Sequence, residues 1–174
     1  MLTSSKRHTI HHEDNSVVQI DYTDINEAAV SDGKASLALD IYQRFGHRHS
    51  EAAAFLKRAR WIFAPDPAHL VDVSADHYDD FVMIDQESHP FVMDGENYVG
   101  RPVGLIESSP AKKVAVHTYC QVKETRRASF YTVTMPERVY QRLMFPFFTG
   151  DKVTLIVTLV HPLLSRRRLS EVLH

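Results

Sequence analysis

Eleven histidines are the first side chains that suggest chemistry, because imidazole nitrogen binds zinc, nickel and copper. His8, His11 and His12 lie close enough in sequence to reach one ion. They belong to residues 1–15, which carry almost no apolar side chains, so burial would hardly offset the entropy lost on ordering them. We therefore expect residues 1–15 to be a disordered tail, and we predict no metal site.

Cys120 is the single cysteine, so it offers no internal disulfide and no cysteine-rich zinc site. On a helix, His117 and Cys120 would stand three residues apart and share one side only loosely, which is weak support for a nucleophile with its base. The sequence contains no Gly-x-Ser-x-Gly turn. We expect no catalytic residue and no enzyme activity.

A group of carboxylates between residues 79 and 87 is the remaining candidate for cation binding. Its members are Asp79, Asp80, Asp85 and Glu87. The group lacks the glycine and the regularly spaced oxygen ligands of a calcium loop, so solvated turns explain it better. Neither Gly-x-x-x-x-Gly-Lys nor Gly-x-Gly-x-x-Gly occurs, and nucleotide hydrolysis is therefore not expected.

The composition is that of one soluble domain with an ordinary core: 174 residues, 44% apolar and 24% charged. The 20 basic and 22 acidic residues leave a net charge of −2, which would not attract nucleic acid or anionic lipid. The N-terminal residues lack the apolar segment of a secretion signal, and no apolar run is long enough to span a membrane. We expect a cytoplasmic protein that binds neither nucleic acid nor a membrane.

Apolar periodicity predicts three helices that would position these side chains. Residues 31–45 and 50–64 carry apolar stripes at helical spacing, and the second helix should end before Pro65. Residues 109–126 form the third, with Ser109 as N-cap and Pro110 at the first helical position. Residues 17–22 are either a short strand or a linker. Residues 16–66 are thus expected to be an N-terminal helical region.

Short apolar segments between polar turns predict strands at residues 69–73, 81–84, 91–93, 129–135, 139–148 and 152–161. The last of them is apolar on both faces, which is typical of a strand in the middle of a sheet that is covered on both sides. Three consecutive arginines, at residues 166–168, indicate that residues 163–174 are a basic C-terminal tail.

The order of these elements after residue 67 is short strands, a capped helix and three long strands. In Tyr140-Gln-Arg-Leu-Met-Phe-Pro-Phe-Phe-Thr-Gly-Asp, an aromatic, an arginine and a leucine lead into a proline and then a glycine turn, and Gly100-Arg101-Pro102-Val103-Gly104 precedes the helix. In these features the chain resembles the stand-alone PAS-like sensor proteins of alphaproteobacteria. The resemblance implies an α+β fold: a five-stranded antiparallel sheet around a cleft that a helix spans, formed by residues 67–162 and preceded by the helical region.

The same resemblance implies that the cleft binds a small molecule or cofactor, whose identity stays unknown. The side chains expected to line the cleft are Tyr119, Val122, Tyr131 and Phe145. Haem-binding relatives take the iron on a histidine of this helix, but His117 points about 200° away from Ala115 at 100° per residue. Cys120 lacks the asparagine-rich neighbours of the light-sensing flavin class. Neither haem nor a flavin is therefore expected from these residues.

We interpret the chain as a bacterial, cytoplasmic sensory module that binds a small ligand or a regulatory protein partner and signals through a homodimer contact. The dimer is expected because two amphipathic helices and a two-sided apolar strand present more apolar surface than one small domain covers. The alternative is a ligand-free interaction adaptor whose cleft is filled by its own side chains.

Overall fold

The computed structural model describes residues 6–87, 89 and 95–165. Within these residues the helices are α1 (Ile25–Ser31), α2 (Gly33–Gln43), α3 (Ala52–Phe63) and α4 (Pro110–Thr125). The strands are β1 (Lys6–His11), β2 (Val17–Asp24), β3 (Ala68–Asp72), β4 (Val82–Gln86), β5 (Ser129–Met135), β6 (Arg138–Thr149) and β7 (Lys152–Ser165). These strands form one antiparallel sheet in the order β1-β2-β5-β6-β7-β3-β4, so the fold class is α+β.

Strand β7 lies in the interior of the sheet, as its two apolar faces predicted. It pairs with β6 on one side and with β3 on the other. Leu155, Val157 and Leu159 pack on the face that α1, α2 and α3 cover. Ile156 and Val160 pack on the opposite face, beneath α4. Protein therefore covers both sides of the strand, which its continuous apolar sequence requires.

The sheet separates two hydrophobic cores. The α4 core lies between the sheet and α4 and includes Val71, Met83, Val114, Tyr119, Val122, Tyr131, Val133 and Ile156. The helical core lies on the other face, under α1, α2 and α3, and includes Ile25, Ala38, Tyr42, Phe55, Leu56, Leu143, Phe145 and Phe147. Each core is built from alternate residues of the same strands, so neighbouring residues of a strand face different helices.

Side-chain caps separate the first predicted helix from a helix that precedes it. The sequence predicted a helix over residues 31–45, which corresponds to α2; it did not predict α1, which meets α2 at Asp32. The Asp24 carboxylate accepts a hydrogen bond from the Asn26 N–H (2.9 Å), and the Asp32 carboxylate accepts one from the Ala35 N–H (2.8 Å). Each cap satisfies a backbone donor of the first helical turn that has no partner inside the helix.

Helix α4 has the bounds and caps that the sequence predicted. Ser109 Oγ accepts a hydrogen bond from the Lys112 N–H (3.1 Å), and Pro110 occupies the first helical position. The helix ends at Arg126, whose left-handed backbone (φ +58°) lets its N–H reach the Val122 carbonyl at 2.9 Å. This helix packs over the sheet and contributes the upper side of the α4 core.

The N-terminal strands correct two expectations. The sheet has seven strands rather than five, because β1 and β2 extend it beyond β5. A disordered tail over residues 1–15 is wrong for Lys6–His11, which pairs along its whole length with β2. Backbone hydrogen bonds, Ile10 packed against the α4 core and an ion pair from Arg7 to Asp21 (2.7 Å) hold this polar strand. Residues 16–66, expected to be helical, therefore also contribute strand β2 to the same sheet as residues 67–162.

Two expectations concern residues that the structure does not describe. The predicted strand at residues 91–93 and the arginines of the basic tail at residues 166–168 lie outside the described residues. Strand β7 reaches Ser165, three residues beyond the expected end of the PAS-like part at residue 162. Among the residues described, the helices are too short and too polar to span a bilayer.

Candidate functional site

Three of the four predicted cleft residues lie together in the α4 core, and the fourth does not. Tyr119 and Val122 of α4 face Tyr131 of β5, and all three are at most 1% exposed. Phe145 belongs to the helical core, where its ring lies 5.0 Å from Tyr42 and 5.1 Å from Phe55. The prediction that Phe145 lines the cleft is therefore wrong. In this part of β6 the odd-numbered residues face away from α4.

A group of buried polar side chains interrupts the α4 core. We call it the buried polar cluster; its members are His69, Tyr119, Tyr131, Arg142 and Thr158. The sheet register brings them together, because Tyr131 of β5 stands opposite Arg142 of β6, and His69 of β3 stands opposite Thr158 of β7. Tyr119 reaches down to them from α4, so both layers of this part of the protein contribute to the cluster.

Tyr119 links the two cross-strand pairs of the buried polar cluster. Its hydroxyl lies 2.8 Å from His69 Nε2 in a buried hydrogen bond. The Arg142 guanidinium carbon lies 5.3 Å from the centre of the Tyr119 ring, within range of a cation–π interaction. The phenol is thus held from both sides, and a displacement of α4 would disturb both contacts.

Several polar atoms of the cluster have no hydrogen-bond partner among the residues that the structure describes. They are Arg142 Nε and Nη2, His69 Nδ1, Tyr131 Oη and Thr158 Oγ1. Arg142 is only 5% exposed, and the ion pairs among the described residues do not include it. A buried donor without an acceptor costs about 1–3 kcal/mol, and a buried charge without an opposite charge costs more. The cluster therefore contains buried donors that lack acceptor atoms, and it lies inside a core that is otherwise apolar.

The electrostatics of the cluster keep every member except Arg142 neutral at pH 7. Burial lowers the pKa of His69 well below its ordinary value, and the positive charges of Arg142 and Arg60 lower it further. Burial raises the pKa of Tyr119, against the opposing effect of the nearby Arg142. Burial likewise raises the pKa of Tyr131. The net charge of the cluster is thus that of one guanidinium, which an anionic group would complement.

His117 and Cys120, the two residues weighed as a base and its nucleophile, both lie on the outer side of α4. His117 stacks on His8 of β1 with ring centres 4.1 Å apart, so it is half-buried against a strand rather than free on the surface. Burial, and then Glu124, raise the pKa of the Cys120 thiol, which keeps it protonated at neutral pH. Nowhere in the described ranges do three His, Cys, Asp or Glu side chains gather closely enough to hold a metal ion.

Sequence reasoning identified two aromatic members of the cluster and missed the members that carry its polarity. In the sequence, Arg142 stands out only through the resemblance, and nothing distinguishes His69 and Thr158 from the other residues of their predicted strands. A signal was present in β6, where Arg142 lies between the apolar residues Tyr140 and Met144 on one face of the strand. A charged residue at a core position is a stronger indication of a site than the aromatic residues around it.

Comparison with known proteins adds little to this description. No family model and no curated protein match the chain. Among solved structures, a similar chain is described as "Flavin Analogue Sheds Light on Light-Oxygen-Voltage Domain Mechanism"; it is 10% identical, and the alignment covers 71% of this chain and 94% of that one, with a TM-score of 0.46. The fold class of this protein therefore follows from its own sheet and helices.

Proposed function

We propose that the chain is a PAS-type sensory and regulatory module of the bacterial cytoplasm whose ligand site is the buried polar cluster beneath α4. The PAS-type fold is supported by the order of elements after residue 67: two short strands, a helix, then three long strands with β7 inside the sheet. We propose no catalytic residue and no enzyme activity.

The observation that carries the ligand proposal is the buried guanidinium of Arg142. Its Nε–H and Nη2–H have no acceptor in the described part of the chain, and the other orphaned atoms of the cluster lie on the same face of the sheet. A small molecule with a carboxylate or a similar acceptor group would receive both donors in the paired geometry that guanidinium favours. Binding would then recover free energy that the empty protein loses by leaving these donors unpaired.

The packing around the cluster explains how occupancy would become a signal. Val122 and Tyr131 are completely covered by neighbouring protein atoms, and Tyr119 is almost completely covered. A ligand therefore has to displace α4 from the sheet in order to reach Arg142. The bound and empty states would differ in the position of α4, and a partner that contacts this helix or its connections would distinguish them.

Native mass spectrometry and an absorption spectrum of the purified full chain test whether a ligand is retained. We expect the wild-type protein to carry a small molecule and Arg142→Met to lose it. Arg7→Met is the matched control, because Arg7 is exposed and its partner Asp21 lies between Ile20 and Tyr22, on the face of the sheet opposite to the cluster. A ligand retained equally by Arg142→Met, in a variant whose circular dichroism is unchanged, would place the site elsewhere.

The second candidate function is a ligand-free interaction adaptor. It is favoured by the same close packing, since the cleft between α4 and the sheet is filled by Tyr119, Val122 and Tyr131 of the chain itself. A colourless protein with no bound mass, whose melting temperature does not rise with any of a panel of small carboxylic acids, would support the adaptor and remove the ligand from the proposal.

Signalling through a homodimer contact is part of the proposal, but the two apolar faces of β7 do not supply that contact. Both faces of β7, which suggested a dimer, are covered within one chain by α4 and by the three N-terminal helices. Light scattering after size exclusion would give twice the chain mass of 19.9 kDa for a dimer. A monomer at every concentration measured would leave signalling to a regulatory protein partner.

A further inference from the structure

A groove runs between α2 and α3 on the outer surface of the helical layer, opposite to the side of the sheet that holds the buried polar cluster. Its volume is about 500 Å³. It is lined by Ile41, Arg44, Phe45, Ala54, Lys57, Arg58 and Trp61. This surface is spatially separate from the ligand site, because the whole sheet and the helical core lie between them.

The groove combines an apolar floor with an exposed indole. Ile41 comes from α2 and Phe45 follows its C-terminus, and both also contact the helical core. Trp61 of α3 is 73% exposed, although tryptophan is a side chain that usually buries most of its surface. The Arg58 guanidinium lies 4.9 Å above its ring centre. A large rigid aromatic side chain held at the rim of an apolar groove is typical of the side chains that dominate binding energy in protein interfaces.

The charges at the rim are all positive and mostly unpaired. Lys57 and Arg58 are exposed and form no ion pair within the described part of the chain. Among the described residues, Arg44 forms an ion pair only with the exposed Asp40, at 2.6 Å, and this contact contributes little energy. By contrast, Arg60 of the same helix is neutralised by two carboxylates. In a chain of net charge −2, these cations concentrate positive potential around the groove.

We propose that this groove binds an acidic amphipathic helix of a protein partner. The apolar face of such a helix would enter the groove against Trp61, and its carboxylates would pair with Lys57 and Arg58 at the rim, as in other helix-in-groove complexes. Helix α3 has 12 residues and is about 18 Å long, so three turns of a partner helix match it.

The charges also decide against other occupants. In a symmetric contact between two copies through this surface, Lys57 and Arg58 would face the same cations of the second copy, which is unfavourable. The three arginines at residues 166–168 make the C-terminal segment of the same chain equally unsuitable. A lipid surface offers negative charge but is too flat to reach Ile41 and Phe45 at the floor of the groove.

Trp61 is the single tryptophan of the chain, so its fluorescence reports directly on the groove. The probe is a synthetic 14-residue peptide with leucine and phenylalanine on one helical face and glutamate on the other, and a scrambled peptide of the same composition is its control. We expect the amphipathic peptide alone to shift Trp61 emission to shorter wavelength, and the affinity to fall when salt is raised from about 0.05 M to about 0.5 M.

Charge reversal tests the assigned residues. The double variant Lys57→Glu and Arg58→Glu is expected to weaken the peptide about tenfold or more. Lys152→Glu, on the exposed β6–β7 turn, is the matched control and should leave the affinity unchanged. Four outcomes would each overturn the proposal. Two concern the peptide: equal binding of the scrambled peptide, or no shift of Trp61 emission at about 1 mM peptide. The other two are an emission shift with phosphatidylserine vesicles only, and self-association of the chain that the double variant abolishes. None of these outcomes bears on ligand retention at Arg142.

Discussion

Replacing Arg142 by methionine separates a role in folding from a role in ligand binding. The substitution removes two buried donors that have no acceptor, each costing about 1–3 kcal/mol. It also removes the cation above the Tyr119 ring, worth about 1–2 kcal/mol, and changes the packing by about 1 kcal/mol or less. A gain of about 4 kcal/mol against a loss of about 2 kcal/mol leaves the ligand-free variant about 2 kcal/mol more stable than the wild type.

The assay is urea unfolding of both proteins after refolding in the absence of ligand, followed by far-UV circular dichroism and by a thermal melt. For a chain of this length, 2 kcal/mol corresponds to a rise in Tm of about 4–8 °C. Thr158→Val should also be neutral or stabilising, because Thr158 Oγ1 has no partner. Arg7→Met should change the free energy of unfolding by about 1 kcal/mol or less.

A loss of more than about 1 kcal/mol of unfolding free energy in Arg142→Met, with Thr158→Val neutral, would contradict this prediction. Such a result would mean that the guanidinium is a satisfied structural group, and that its burial needs no ligand to explain it. A stabilised variant that no longer retains a ligand would instead show the trade between stability and function that is common at binding sites.

Three further predictions concern the cluster and the two cores. Burial, then Arg142 and Arg60, lower the pKa of His69, so the unfolded chain takes up a proton that the folded chain does not, and stability falls as the pH drops below about 6.5. His69→Gln should reduce the slope of unfolding free energy against pH by up to about 1.4 kcal/mol per unit, and an unchanged slope would contradict the assignment. Ser109→Ala should cost about 1 kcal/mol by removing the α4 cap, measured by urea unfolding. Phe145→Ala should cost about 3–5 kcal/mol without loss of ligand at low temperature, and loss of ligand in a folded variant would return Phe145 to the cleft.

The sequence predicted those elements of the fold whose residue pattern is compatible with a single arrangement. Segment 152–161 is apolar on both faces, and only a place inside a covered sheet satisfies both faces at once. Helix α4 carries Ser109, Pro110 and a continuous apolar stripe, and these signals all indicate the same bounds. In both elements local and tertiary requirements agree, which is why the predictions held.

The sequence could not assign the faces of β6 or the pairing of β1. Residues 143–148 are apolar without interruption, so nothing in their alternation shows which of them face α4. The register that decides this question is set by pairing with β5 and β7. Strand β1 is polar and lies at the edge of the sheet, where backbone hydrogen bonds and a partner strand replace the apolar pattern that sequence reasoning needs.

Strand β6 connects the two proposed sites across the sheet. Arg142 faces α4, whereas Phe145 and Phe147 face the helical core, and the Tyr42 hydroxyl of α2 donates a hydrogen bond of 2.6 Å to the Pro146 carbonyl. A ligand that moves α4 and engages Arg142 therefore acts on the same strand that holds α2, which forms one wall of the groove. The coupling free energy between the sites can be no larger than the difference between the binding free energies of an occupant for the two states. It must also be reciprocal, so a partner helix in the groove would change the ligand affinity by the same factor as the ligand changes the affinity for the partner.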